Sequence, residues 1–92
     1  MGSKALNETM LRYAQAGNLR GVSTCLSKGA DADYKQSAVV TIAIYRRAWA
    51  VLLLCLRAGA TIGEEALEQL REQAPSHVYY AAKTEYDRSL RG

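Results

Sequence analysis

Phenylalanine is absent from the 92 residues, and histidine and proline occur once each, as His77 and Pro75. A single histidine excludes any metal site that needs more than one imidazole. A single proline and no low-complexity stretch argue against disorder throughout the chain. Two cysteines, Cys25 and Cys55, are too few for a disulfide framework. No glycine loop ends in Gly-Lys-Ser/Thr, so a phosphate loop is excluded as well. A long apolar run is also missing: residues 38–56 are apolar apart from Thr41 and the pair Arg46-Arg47. Two arginines near the middle of a bilayer would each cost roughly 2.5–3.5 kcal/mol. The pair therefore marks a break between two short helices. The start MGSKALNETM lacks the apolar core of a secretory leader. Gly2 suggests N-myristoylation, but Leu6 stands where Ser or Thr is wanted. The expected location is cytoplasmic, without a membrane partner.

What is present is an ordinary globular mixture, 49% hydrophobic and 23% charged, of a length that suits one domain. The net charge of +3 is unevenly placed. Residues 1–60 hold eight Lys/Arg against Glu8, Asp31 and Asp33, whereas residues 61–92 hold four against six acids. A nucleic-acid binder usually carries a denser basic stripe.

A repeat of 30 residues runs through the chain. Cys25-Leu26-Ser27-Lys28-Gly29-Ala30-Asp31 aligns with Cys55-Leu56-Arg57-Ala58-Gly59-Ala60-Thr61, four identities in seven. The same offset pairs Val22 with Leu52 and Leu19 with Trp49. Leu19, Val22, Cys25 and Leu26 follow helical spacing, and Gly29 lies where a left-handed residue closes a helix. A helix over 8–16, ended by Gly17-Asn18, precedes the first copy; one over 39–46 precedes the second. The helix from Trp49 to Leu56 is apolar all round and must be covered on more than one side. A third pair follows over 64–73 and 78–90, with Ala66, Leu67 and Leu70 on one face and Val78, Ala82 and Tyr86 on another. Tyr79 and Tyr80 either cap this end or present a second patch.

The run from Leu11-Arg12-Tyr13-Ala14-Gln15-Ala16-Gly17-Asn18-Leu19 through Val22 to Leu26-Ser27-Lys28-Gly29-Ala30-Asp31-Ala32-Asp33 resembles the ankyrin repeat. The second copy keeps Thr41 and Gly59-Ala60 but has Ile42-Ala43-Ile44 for the usual Pro-Leu-His and Arg47-Ala48 for the Gly-His turn. The resemblance implies an all-α short solenoid of stacked helix-turn-helix units, about six helices in one domain over 1–92. Its units are 4–33, 34–63 and a degenerate capping unit, 64–92. Ankyrin repeats usually run 33 residues, so a period of 30 implies a shortened finger loop after Asp33.

No catalytic constellation is present, and neither a cofactor nor a metal is expected. Cys25 and Cys55 read as core residues, His77 as a surface or capping residue, and Glu64, Glu65, Glu68 and Glu72 as a solvated face. What remains is a surface for partners. The resemblance places the binding surface on finger loops and inner helices, which here hold Arg12, Tyr34, Lys35, Gln36, Tyr45, Arg46 and Arg47. Tyrosine and arginine are favoured at interface hot spots. The expected function is a protein–protein interaction module, adaptor or inhibitor in kind, for an acidic partner, as a monomer or weak homo-oligomer. In the competing structural reading Tyr45 packs inside and the arginines are only solvated. Two further alternatives are a basic nucleic-acid-associated accessory protein, using Arg12, Lys35, Arg46 and Arg47, and an architectural subunit that docks into a larger assembly.

Overall fold

Ser3 accepts a hydrogen bond from the Leu6 N–H on its Oγ at 3.1 Å, satisfying one of the amides a helix start leaves unpaired. Helix α1 (Lys4–Gln15) therefore begins four residues earlier than its apolar spacing indicates. The computed structural model describes residues 3–91, so the reading of Gly2 falls outside it. Five more helices follow: α2 (Leu19–Ser27), α3 (Tyr34–Arg46), α4 (Trp49–Arg57), α5 (Glu64–Gln73) and α6 (Ser76–Leu90). The described residues contain no strand and no helix long and apolar enough to cross a membrane.

The period of 30 reappears in the backbone bonds. Helices α2 and α4 begin at residues 19 and 49, and α1 and α5 at 4 and 64, whereas the span of α3 opens at 34 with a left-handed turn over 35–37. The Asn18 N–H donates to Tyr13 O at 2.9 Å, and the Ala48 N–H to Ala43 O at 2.8 Å. The Ala30 N–H donates to Cys25 O at 2.9 Å, and the Ala60 N–H to Cys55 O at 3.0 Å. These last two closures require a left-handed residue just before them, supplied by Gly29 at φ +101° and Gly59 at φ +108°.

Two buried polar side chains tie one hairpin to the segment leading into the next. Asn7 Oδ1 accepts from the Asp31 N–H at 2.8 Å, and Ser37 Oγ accepts from the Thr61 N–H at 2.8 Å. The two donors are again 30 residues apart, and so are the two acceptors. It is Ser37, not Thr41, that occupies this position near the start of α3; Thr41 lies exposed in mid-helix.

The α3–α4 pair sits between the other two. Helix α3 packs on α1 and α5, and α4 on α2 and α6. That position explains the apolar character of α4: Val51, Leu52, Cys55 and Leu56 are buried, and Leu53, Leu54 and Trp49 pack partly against the same core. Met10, Ala14 and Val22 extend the core one way, and Leu70, Val78 and Ala82 the other. Leu19, paired by the repeat with Trp49, is 42% exposed and is not the packing residue its spacing suggests. Cys25 and Cys55 are both buried and free, and burial pushes the Cys55 thiol up to about 11.

Candidate functional site

The seven candidate residues fall into two groups at opposite ends of the α1–α3 pair. The first group gathers on one carboxylate. Tyr34 Oη donates to Glu8 Oε2 at 2.6 Å, and Lys35 Nζ lies 3.2 Å from the same oxygen and 5.5 Å from the Tyr34 ring centre. The Tyr34 hydrogen bond, and after it Lys35, holds the Glu8 carboxyl below its ordinary range. The polar ends of Tyr34 and Lys35 are thus engaged within the chain, while Gln36 stays exposed beside them.

These three residues do not form a simple finger loop. They lie within the span of α3, and Lys35, Gln36 and Ser37 all have left-handed backbone, with φ of 52°, 57° and 60°. Such geometry costs an L-residue roughly 1–2 kcal/mol. A clasp holds the turn in place. The Ser37 hydroxyl donates to Asp33 Oδ1, the Thr61 hydroxyl donates to the same oxygen at 2.9 Å, and the Thr61 N–H donates to Ser37 Oγ. The Ser37 bond, with those from Thr61, keeps the Asp33 carboxyl below its ordinary range.

The second group lies at the far end of α3, nine residues beyond Gln36. Tyr45 is 82% exposed, and the Arg46 guanidinium carbon lies 6.0 Å from its ring centre. Tyr45 is therefore not packed inside, and Arg46 and Arg47 are exposed to solvent beside it. Arg47 closes α3 in a left-handed conformation, φ 56° and ψ 34°, at the position equivalent to Gly17. Arg12 is exposed in the last turn of α1. It sits toward the same end as Tyr45, because the Glu8 contacts bring the starts of α1 and α3 together. Among the described residues none of Arg12, Arg46 and Arg47 makes an ion pair. Arg12 and Arg46 also suit the negative end of a helix dipole, an effect worth about 0.3–1 kcal/mol.

The remaining chemistry-bearing residues stay apart. His77 is exposed at the start of α6, and Glu64, Glu65, Glu68 and Glu72 are exposed along α5. Tyr79 packs partly on the core while Tyr80 is 64% exposed, their rings edge to face at 5.2 Å. Among the described residues no three His, Cys, Asp or Glu converge on one point.

One feature escaped the sequence reading. On the opposite side of the molecule from α1 and α3, a groove of about 610 Å³ runs between α2 and α4. Leu19, Ala50, Leu53 and Leu54 line it, with Ser23 and Thr24 on the α2 wall and Arg20 and Arg57 at its edges. The signal was present in the all-apolar α4, whose Leu53 and Leu54 correspond to Ser23 and Thr24 of α2.

No protein-family model, curated protein or solved structure matches the chain.

Proposed function

We propose that this chain is a short ankyrin-type stack whose units are 4–33, 34–63 and a capping pair, 64–92, and that it acts without catalysis by binding an acidic surface on a protein partner. Arg12, Tyr45, Arg46 and Arg47 form the centre of the contact, with Tyr34, Lys35 and Gln36 as a second point at the other end of α3. The stack is supported by the recurrence at 30 residues of the α2 and α4 starts, the cap bonds and the Asn7 and Ser37 links.

The observation that carries the binding role is Tyr45. A large aromatic that is 82% exposed, stacked by a cation and flanked by a strained Arg47, contributes no burial to the fold. Such a group matches the aromatic and arginine anchors that dominate interfaces. Rigid helices hold these anchors in place beforehand, which lowers the ordering cost of binding.

The test is a pull-down that compares the wild type with Arg46→Glu/Arg47→Glu, circular dichroism having established equal helicity. A protein retained by the wild type and lost by the reversal supports the proposal. A protein retained equally by both moves the contact away from α3. Nucleic acid retained at low salt and released at moderate salt replaces the protein partner with phosphate contacts, whose affinity falls steeply with salt.

A further inference from the structure

The groove between α2 and α4 lies on the face away from the Tyr45 cluster and has no role in the proposed contact. Its α4 side is one stripe: Ala50, Leu53, Leu54 and Arg57 stand at i, i+3, i+4 and i+7, with Arg57 at the end of the helix. The facing residues of α2 at the matching positions are the small Ser23 and Thr24, which leave Leu53 and Leu54 only partly covered. Leu19, 42% exposed, continues the apolar surface at the start of α2. The opening is a furrow between two helices.

The charge at its edges identifies what kind of helix fits. Helices α2 and α4 run in the same direction, since each turns back from an inner helix and the two inner helices start together at Glu8. Arg20 stands at the beginning of α2 on one wall and Arg57 at the end of α4 on the other. Arg57 is equivalent to Ser27, seven residues beyond Arg20, an axial offset of about 10 Å. With helices about 8–10 Å apart, the two positions lie about 14 Å from each other across the groove. Among the described residues neither arginine has a carboxylate partner. The acid-rich α5 of a second copy is a poor occupant, because its exposed positions, Glu64, Glu65, Glu68, Gln69, Arg71, Glu72 and Gln73, offer no large apolar side chain.

We infer that this furrow is a second docking site, for an acidic amphipathic helix of a partner protein. The helix places an apolar stripe at i, i+3, i+4 and i+7 on Leu53 and Leu54 and sets carboxylates on opposite flanks, about two turns apart, against Arg20 and Arg57. This is groove recognition of a helix by apolar anchors, with the rim charges fixing orientation.

The experiment uses two fluorescein-labelled synthetic helices of about 18 residues, long enough to hold helical structure. They share a leucine stripe at i, i+3, i+4 and i+7; one carries flanking glutamates and the other flanking lysines. Fluorescence anisotropy against the full chain is expected to saturate with the glutamate helix and to be at least about tenfold weaker with the lysine helix, a difference of about 1.4 kcal/mol. Arg20→Glu/Arg57→Glu is expected to reverse that preference. Leu19→Ser, at an exposed position that leaves the core intact, is expected to weaken both helices. Arg46→Glu/Arg47→Glu is expected to leave both affinities unchanged, which separates this site from the one on α3. Amide shifts on binding should fall on α2 and α4. Equal affinity for the two helices, no binding by either, or shifts confined to other helices would overturn the inference. Concentration-dependent dimerisation that Arg20→Glu/Arg57→Glu abolishes would also overturn it, by making a second copy the occupant.

Discussion

Arg47→Gly is expected to stabilise the fold while removing a group from the binding surface. Arg47 closes α3 at φ 56° and ψ 34°, and its N–H donates to Ile44 O at 3.1 Å. Glycine keeps that bond, as Gly17 does at the equivalent position with its own N–H on Ala14 O at 3.0 Å. An L-residue in this conformation costs roughly 1–2 kcal/mol. The greater freedom of glycine in the unfolded chain offsets roughly 0.5–1 kcal/mol of that. The net gain is roughly 0.5–1 kcal/mol, and a domain of this size gains about 4–8 °C per kcal/mol, so its melting temperature should rise by about 2–8 °C. Thermal melts followed at 222 nm measure it. Arg47→Ala is the control, since alanine keeps the strain and loses the guanidinium; no rise is expected. If the glycine variant melts at or below the wild-type temperature, or the alanine variant rises equally, the assigned strain is wrong. The pull-down of the proposed function should lose signal with both variants. Strained residues tend to persist at functional sites, and here strain and side chain are separable by a single position.

Other outcomes follow from the core and its links. Leu52→Ala empties a fully buried position on α4 and should cost about 2–5 kcal/mol, a large share of the roughly 5–14 kcal/mol expected for such a chain, read as a drop in urea midpoint. Asn7→Ala leaves the Asp31 N–H without its partner and should cost about 1–3 kcal/mol in the same assay. The Asp33 carboxyl is held below its ordinary value, so its contribution is present above the unfolded value near 3.8 and fades as pH falls through the lower folded one. Wild type should therefore exceed Asp33→Asn in urea midpoint at pH 6, and the gap should shrink toward pH 2.5. A gap that does not change with pH would dissociate the clasp from the charge on Asp33.

The helices and their spacing were legible because the repeat is written in residues with strong local preferences. Gly29 and Gly59 mark helix ends, Asn18 caps α2 by accepting the Gly21 N–H, and Glu64–Gln73 forms α5 over the stretch its composition indicates. Starts were harder to read than ends. Ser3 caps α1 ahead of any apolar period, and Ser76 begins α6 two residues before Val78, the first buried residue of that helix. The left-handed turn of Lys35, Gln36 and Ser37 left no trace, because none of the three is a glycine or asparagine; the turn is held by Asp33 and by Thr61, 24 residues beyond Ser37. At the candidate site the residue types were readable but their grouping was not. Glu8 draws Tyr34 and Lys35 away from Tyr45 and Arg46, and only the side-by-side start of α1 and α3 reveals it. The groove stayed hidden because an all-apolar helix does not say which of its sides a neighbour fails to cover.

The two enclosed thiols give the molecule a pair of internal clocks. Each sulfur meets a water-borne disulfide reagent only when its surroundings open. Cys25 belongs to an outer hairpin with a neighbour on one side, and Cys55 to the hairpin flanked on both. Opening free energies differ between such cooperative units, so labelling should proceed at Cys25 first and at Cys55 later. The ratio of the two rates reports whether the hairpins separate singly or yield together, and a ligand on either face would lengthen the interval of the hairpins it bridges.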